Sequence, residues 1–344
     1  MRKICGLLVV CGAALLSNGT LLGAAGMPLW AYGYITPPPA TSDYSSKCTP
    51  ARPFACARGG LPTQDVSPRT IPGSAGAFTV PQIHADFGPA DWFPGDHPTM
   101  PDIVAHGREK DGIRACGLCH FPNGQGKPEN APVAGNSAGY LLQQLADFKN
   151  GSRRTSDKNK ANGFEMGAMA AALTEAETKA AVEYFSAIPF RPWIKVVETT
   201  EIPEVAAGVN GLFMPVKGGK MVPLGKRLIE VPQNPDETLF NRNPRSGFVA
   251  YVPPGTLARG KMLATTGGNG RTQRCDTCHG ADLRGIGPVP AIAGRQASYL
   301  SRQLYDMQVG TRHGLWADLM TPVVNSLTED DILALSAYSA SLAP

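Results

Sequence analysis

Cys116-Gly-Leu-Cys119-His120 and Cys275-Asp-Thr-Cys278-His279 are two copies of one short pattern, C-x-x-C-H, in a chain of 344 residues. Two thiols separated by two residues can reach the two vinyl groups along one edge of a porphyrin, and the adjacent imidazole can then turn onto the iron. Each copy therefore predicts a covalently attached haem c, with His120 and His279 as the proximal ligands of the two irons.

Pairs of cysteines with this spacing have two other common uses. A zinc ribbon contains C-x-x-C pairs, but these two pairs lie 159 residues apart and each carries its own His. A thioredoxin-like dithiol requires a βαβ context, which neither pattern has. Haem attachment is the interpretation that fits both copies, and it predicts two haem c groups per chain.

The two patterns belong to a longer internal repeat. Blocks that recur at an offset of 159 residues are Tyr140-Leu141 with Tyr299-Leu300 and Gln144-Leu145 with Gln303-Leu304, and a block that recurs at 154 is Leu173-Thr174-Glu175 with Leu327-Thr328-Glu329. Apolar spacing and capping residues predict helices at 102–114, 140–149 and 175–187 in the first copy, and at 256–265, 298–309 and 329–341 in the second. The chain is thus expected to contain two copies of one helical unit.

The repeat also predicts the sixth ligand of each iron. Met166 and Met320 each stand seven residues before the repeated Leu-Thr-Glu block, in what is expected to be a loop. A thioether there can fold over the open face of a haem. Met169 competes with Met166, but its counterpart in the second copy is Val323, so the register favours Met166. Packing is the alternative role for any such methionine.

These motifs resemble the class I c-type cytochromes, and the tandem arrangement is similar to cytochrome c4 and related two-domain cytochromes. The resemblance implies an all-α, loop-rich fold of two cytochrome c class I domains in tandem, with an extended N-terminal arm and an interdomain linker. In that family a Pro carbonyl accepts a hydrogen bond from the proximal His. Pro288 fits that place in the second copy, whereas Pro128 lies one residue out of register in the first.

The same resemblance implies a close crossing between the first and last helices of each unit, where a small residue meets an aromatic one. The expected pairs are Gly107 with Tyr184 and Gly260 with Tyr338. In the linker, apolar runs on either side of Lys217-Gly-Gly-Lys220 suggest a β-hairpin.

The N-terminus predicts export. A basic start (Met1-Arg2-Lys3), an apolar run over 4–16 and small residues at 23–26 form the layout of a secretory signal peptide. An uncleaved membrane anchor over 4–25 is the alternative. In the oxidising periplasm, Cys48 and Cys56 would form a disulfide. The predicted segments are a signal peptide (1–25), a Pro/Gly-rich arm (26–97), domain 1 (98–190), a linker (191–255) and domain 2 (256–344).

Composition narrows the classes of function. A formal charge of +4 without a long basic run does not predict nucleic-acid binding. A short basic segment (Lys149, Arg153, Arg154, Lys158 and Lys160) is either a solvated loop or a docking surface for an acidic redox partner. We expect a periplasmic carrier of single electrons between redox proteins rather than a catalyst. The alternatives are a diheme oxidoreductase of the thiosulfate dehydrogenase or peroxidase type, and the cytochrome subunit of a larger dehydrogenase.

Overall fold

The computed structural model describes residues 50–51, 65–157, 160–207 and 212–344. The predicted signal peptide, the predicted Cys48–Cys56 disulfide and Lys158 lie outside the described residues. We call residues 98–190 the first unit and residues 256–344 the second unit, and we keep the names arm and linker for the segments before and between them.

The arm contains β1 (Arg69–Thr70), β2 (Ala77–Phe78), α1 (Val80–Ile83) and a 3₁₀ helix (Pro94–Asp96), and the first unit contains α2 (Asp102–Ala105), a 3₁₀ helix (Glu109–Asp111), α3 (Cys116–His120), α4 (Ala138–Asn150), α5 (Ala161–Ala172) and α6 (Glu175–Ser186). The linker contains β3 (Ile194–Glu198), β4 (Glu201–Pro203), β5 (Val205–Ala207), β6 (Phe213–Pro215), β7 (Met221–Pro223), β8 (Ile229–Pro232), α7 (Pro235–Leu239) and β9 (Phe248–Val252). The second unit contains α8 (Thr256–Gly270), α9 (Asp276–His279), α10 (Ala297–Gln308), a 3₁₀ helix (Ala317–Met320), α11 (Thr321–Val324) and α12 (Glu329–Ser341).

Local sequence accounts for the long helices. Thr174 and Thr328 begin α6 and α12 with capping boxes, in which the threonine and the third helical residue bond each other's backbone N–H. Gly151 ends α4 at a φ of 80°. Five of the six predicted helices are therefore present at the expected places.

The prediction of a helix over 102–114 is wrong. The helix α2 is a single turn, because Gly107 and Gly112 adopt left-handed φ values of 69° and 66°. The atoms nearest to an added Cβ at Gly107 belong to Ile113, Arg114 and Ala115 rather than to Tyr184. A Cβ at Gly107 would lie 2.2 Å from the carbonyl oxygen of Ile113, so this glycine serves a tight turn rather than a helix crossing.

The second predicted helix crossing is present. A Cβ at Gly260 would lie 2.6 Å from the Cβ of Tyr338 and 2.1 Å from the carbonyl oxygen of Ala334. The backbones of α8 and α12 therefore touch at this glycine. Because no side chain fits between them, Gly260 determines how closely the first and last helices of the second unit approach.

The prediction of an all-α fold holds only in part, because strands make up 13% of the chain. The linker folds into a three-stranded sheet in which the central β9 pairs parallel with β3 and antiparallel with β8. Leu228, directly before β8, and Ala250 and Val252 of β9 pack against Leu333 and Ala337 of α12. The linker is thus packed on the second unit and is more than a spacer.

The linker hairpin has its turn in a different place from the one predicted. Strand β5 pairs with β6, and β4 pairs with β7, all antiparallel, so the chain reverses between 207 and 213. The Lys217–Lys220 segment forms a turn that interrupts the returning side of this hairpin, between β6 and β7. Glu204 on the opposite side pairs with both ends of this turn, because its backbone accepts from Val216 and donates to Lys220.

The arm has its own small core and is joined to the linker. Ile71, Ile83, Trp92 and Phe93 are buried together. The indole N–H of Trp92 donates to the carbonyl of Asn241 at 2.7 Å, and Asp96 accepts two hydrogen bonds from Arg245. These contacts hold the arm and the linker together on the side of the first unit.

His84 provides a pH-dependent contact between the arm and the linker. Its Nε2 donates to the carbonyl of Phe240 at 3.3 Å. Burial, with the charges of Arg242 and Lys127 adding to it, lowers the pKa of His84 to about 4. The unfolded chain therefore binds this proton between about pH 6.5 and pH 4 while the folded chain does not, so stability falls as the pH is lowered through that range.

We expect His84 to reduce the free energy of unfolding by about 2–3 kcal/mol between pH 6.5 and pH 4. Denaturant titrations of the parent and of His84→Gln over this range measure the contribution as the difference between the two pH profiles. Parallel profiles would show that His84 is not buried in the neutral form.

The two units meet at a local two-fold arrangement. Arg153 and Arg312, which are related by the 159-residue offset, form an antiparallel backbone bridge and are both buried. The side-chain hydrogen bonds are Arg153 to Gln144, Tyr299 and Gln303, and Arg312 to Gln303, Tyr140 and Gln144, at 2.8–3.2 Å. Each arginine thus joins its own unit to the other one, and the repeated Tyr and Gln residues are interface residues.

Replacing Arg153 tests this interface. Because Arg153→Gln leaves buried acceptors without their donor, we expect the free energy of unfolding to fall by about 2–4 kcal/mol, with the two units unfolding in separate transitions. Lys149→Gln is the matched control, since Lys149 belongs to the same basic segment but is exposed; it should change stability by less than about 0.5 kcal/mol. Calorimetry of both variants makes the comparison, and equal effects would contradict the interface role.

Candidate functional site

The first haem pattern forms the wall of a cavity. Cys116, Cys119 and His120 lie on the short helix α3 and line the cavity together with Met166 and Met169 of α5. Apolar side chains from α4, from α6 and from the residue that follows α5 complete the lining: Leu141, Leu145, Phe148, Leu173, Val182 and Phe185. The arrangement is an apolar slot with two thiols and an imidazole at one edge and two thioethers on one helix.

The same backbone contact fixes both of the histidines that the sequence predicts as proximal ligands. His120 Nδ1 donates to the carbonyl of Ala131, and His279 Nδ1 donates to that of Pro290, each at 2.8 Å and each 11 residues further along the chain. Burial lowers the pKa of both imidazoles. A neutral ring that carries its proton on Nδ1 leaves the Nε2 lone pair free, which is the form that binds a metal.

These contacts correct the predicted proline acceptors. Neither Pro288 nor Pro128 accepts the hydrogen bond of a proximal His. Pro290 is the acceptor in the second unit, and its counterpart at an offset of 159 is Ala131, so the bond needs a carbonyl at this position rather than a proline. The Pro128 carbonyl instead accepts from Arg302 of the second unit.

The two predicted thioethers occupy different local structures. Met166 lies in the middle of helix α5 and not in a loop, because the alanine-rich sequence of 161–172 favours a helix. Met169, one turn further on, packs against the core of the first unit. Met320 ends a 3₁₀ helix and packs partly buried against the core of the second unit. Met166 and Met169 both line the cavity. Only Met166 has a methionine, Met320, at the equivalent position of the second unit, and the repeat therefore favours Met166 as the ligand.

Cys116, Cys119 and Cys275 lie in largely buried surroundings. Burial raises the pKa of Cys116 to about 12 and that of Cys119 and of Cys275 to about 11. Reactive thiolates instead occur where nearby positive charge lowers the thiol pKa. The local environment is therefore unlike that of a nucleophilic or redox-active dithiol. Among the described residues, no three His, Cys, Asp or Glu side chains converge in an arrangement for a metal ion.

One rim of the first cavity is cationic and contains residues of both units. Arg302 and Arg153 are buried beside it, and burial, followed by the charge of Arg302, lowers the pKa of Lys160 to about 7. In total the lining has two more cationic than anionic side chains. An apolar slot whose lining has more cationic than anionic side chains suits a haem, whose flat ring is apolar and whose two propionates are anionic. The residues present thus fit the group that the C-x-x-C-H patterns predict.

The basic segment 149–160 is neither a simple solvated loop nor a single docking surface. Arg153 belongs to the interface between the units, and Lys160 lines the cavity, whereas Lys149 and Arg154 are exposed. Three residues that contact or line this part of the first unit were not predicted from the sequence: Ala131, Arg302 and Arg242, whose guanidinium donates to the carbonyl of Leu118. The equal spacing of Ala131 and Pro290 from their histidines could have revealed the first, but Arg302 and Arg242 become neighbours of the haem pattern only through tertiary structure.

Comparison with known proteins agrees with this geometry. The family model for cytochrome c matches residues 111–188. Cytochrome c-554(548) of Halomonas halodenitrificans is 36% identical over 75 residues, which is 22% of this chain and 90% of that protein. The chain belongs to the cytochrome c family. In this diheme cytochrome, two haem c groups are covalently bound and the function is electron transfer.

Two longer relatives span both units. The thiosulfate dehydrogenase electron acceptor of Stutzerimonas stutzeri (strain A1501) is 25% identical over 243 residues, covering 70% of this chain and 84% of that protein. Cytochrome c4 of Stutzerimonas stutzeri is 24% identical over 239 residues, covering 67% and 85%. The cytochrome thus has the two-domain arrangement of cytochrome c4. In the described part of the chain, no helix is both long and apolar enough to cross a membrane.

Proposed function

We propose that the chain is a periplasmic carrier of single electrons, with one His/Met-ligated haem in each unit. The observation that carries this proposal is the matched environment of the two histidines. Each follows a C-x-x-C pair, each donates Nδ1–H to a carbonyl 11 residues on, and each has a methionine at the same distance before the repeated Leu-Thr-Glu block.

The chain's residues have distinct roles in this proposal. Cys116 and Cys119, and Cys275 and Cys278, hold the two haems through thioether bonds. His120 and His279 offer Nε2 to the irons, and the carbonyls behind them fix the ring orientation. Met166 and Met320 occupy the sixth positions, and a thioether there raises the reduction potential. The bound haem supplies the one-electron change between ferric and ferrous iron.

A filled sixth position favours a carrier over an enzyme. A diheme thiosulfate dehydrogenase or peroxidase needs a vacant, labile or Cys-ligated iron. In the first unit the cavity offers two thioethers on the face of α5, whereas the two thiols that line it, among the described residues, belong to the attachment pair. The cytochrome subunit of a larger dehydrogenase is compatible with the same ligand set and differs only in having a permanent partner.

The relatives named as thiosulfate dehydrogenase electron acceptors indicate a class of electron donor. We include such a dehydrogenase as the donor in the proposal. The N-terminal segment 1–25 supports export to the periplasm, and the site residues and the domain boundaries stated above are part of the same proposal.

Spectroscopy of the purified holoprotein tests the carrier. We expect a far-red sulfur-to-iron charge-transfer band with the intensity of two methionine ligands, two one-electron waves in potentiometry, and no consumption of thiosulfate or peroxide by the protein alone. Addition of a thiosulfate dehydrogenase should then make reduction depend on thiosulfate. Turnover of either substrate without that enzyme, together with a band for only one methionine, would favour the oxidoreductase instead.

A further inference from the structure

The two haem patterns differ sharply in how much of the chain covers them. All nine residues from 121 to 129, which follow His120, are buried. Of their counterparts from 280 to 288, six are exposed and only Leu283 is buried. Cys278 is itself exposed, whereas Cys119 is only partly exposed. The difference reflects the segments that pack on this part of the first unit and have no counterpart on the second.

The arm and the linker provide part of this cover and each occurs only once in the chain, while Gln296 and Arg302 of the second unit donate to the carbonyls of Gln125 and Pro128. Arg242 of the linker donates to the carbonyl of Leu118, inside the first haem pattern, and stacks on the ring of Phe121. From the arm, the carbonyl of Asp86 accepts from the N–H of Ala115, directly before the pattern. The linker residue Arg191 exchanges two hydrogen bonds with Gln125.

Phe121 has a backbone conformation that depends on its contacts with the linker. It adopts a φ of 62° and a ψ of 155°, a backbone conformation that is strained for any residue but glycine. Its counterpart in the second unit is Gly280, which has a similar backbone. The strained phenylalanine is 3% exposed and packs edge-on against Trp193 of the linker, in a cluster with Leu212 and Phe248. The contacts of Phe121 with the linker therefore offset the free-energy cost of its strained backbone.

The matching surface of the second unit is open and nearly neutral. Ile286 is 58% exposed and lies over Gly280, the residue after His279. Arg274 and Asp276 neutralise each other in a salt bridge, and Asp282 and Arg284, both exposed, have opposite signs. The corresponding position in the first unit is Lys127, which is buried and paired with Glu129.

We propose that the arm and the linker close the first haem site to other proteins, and that the surface around Cys278 and Ile286 is where redox partners dock for both haems. Because the charged residues around this surface cancel, the partner that fits it is a redox protein with an apolar, weakly charged docking face. Steering by charge contributes little to such an encounter, so its rate depends only weakly on salt. This inference rests on the proposed carrier function.

A paramagnetic footprint tests the exposure of each site without relying on electron transfer. The probe is hexacyanochromate, a redox-inert anion, added to the isotopically labelled holoprotein. We expect it to broaden the amide signals of residues 276–288 and to leave those of 117–129 unchanged. Equal broadening of both sets would overturn the proposal.

Oxidation by ferricyanide tests whether both haems exchange electrons through this one surface. At low salt and limiting ferricyanide, Ile286→Glu should slow the oxidation of the reduced protein roughly threefold to tenfold over the whole two-electron amplitude, because the new charge repels the trianion. Ile286→Gln is the matched control and should retain the parent rate. If half of the amplitude keeps its parent rate in Ile286→Glu, the first haem exchanges independently and the proposal fails.

Electron self-exchange between reduced and oxidised molecules tests the chemistry of the docking face, since a second molecule presents the same neutral surface. The rate should change by less than about twofold between low and high salt in the parent, and Ile286→Glu should slow it at low salt. A steep salt dependence in the parent would indicate a charged docking face and overturn the assignment of the partner. A failure of the carrier function itself looks different, because no reversible oxidation would then be observed in any variant.

Discussion

Replacing Met166 or Met320 by histidine is expected to lower the potential of one haem by on the order of 0.1–0.3 V, within the roughly 0.8 V range that axial ligands span. The physical reason is that a thioether stabilises ferrous iron, whereas an imidazole donates more strongly to ferric iron. The two variants should move different waves in a spectropotentiometric titration, and each should remove half of the far-red charge-transfer band.

Met169→Leu is the control for the first unit. Met169 faces the same cavity as Met166 but packs against the core, so its replacement should leave both potentials within a small fraction of the change expected for Met166→His. If Met169→Leu removes half of the charge-transfer band while Met166→His changes neither wave, the assignment from the repeat register is wrong.

The second large effect is expected at Gly260. Even the methyl group of alanine would lie 2.1 Å from the carbonyl oxygen of Ala334, so α8 and α12 must separate to accept it. We expect Gly260→Ala to lower the free energy of unfolding by about 2–3 kcal/mol. Denaturant unfolding of the holoprotein, followed by circular dichroism and by the haem absorption band, measures the change.

Gly139→Ala is the matched control within a helix. Gly139 lies in the first turn of α4, and an added Cβ would be 3.9 Å from Trp316, which is ordinary van der Waals contact. The substitution should be neutral or stabilise by up to about 1 kcal/mol, because alanine favours a helix more than glycine does. A Gly260→Ala protein as stable as the parent would mean that the helices do not cross at this residue.

Sequence was sufficient where a pattern repeats or a local signal is strong. The C-x-x-C-H strings, the 159-residue offset and the threonine caps at 174 and 328 predicted the two units, their haems and most of their helices. Their Tyr and Gln repeats were recognised, but a repeat does not say which surface its residues occupy. Only the structure brings Tyr140 and Tyr299 to the same interface, around Arg153 and Arg312.

The wrong predictions have physical causes. Pro288 was expected as the acceptor of the His279 hydrogen bond, but the acceptor is the backbone carbonyl of Pro290. Because every residue has a backbone carbonyl, the residue type does not indicate which position accepts the bond. Gly107 was interpreted as a helix-crossing glycine like Gly260, but its left-handed φ makes it a turn residue. Backbone conformation distinguishes the two uses of glycine, and composition does not.

The arm and the linker were the least predictable parts. Their Pro and Gly content predicts irregular chain, and few periodic positions reveal what they pack against. Arg242 lies 124 residues from the carbonyl it contacts in the first haem pattern. Long-range contacts of this kind occur once, without a repeat, and they turn two similar haem units into unequal ones.

A count of covalently bound haem tests the central claim most directly. In the intact mass of the denatured protein, the parent should carry two haems, Cys116→Ala/Cys119→Ala one, Cys275→Ala/Cys278→Ala one, and the variant with all four substitutions none. A parent chain that carries a single haem, or a paired variant that still retains two, would contradict the account.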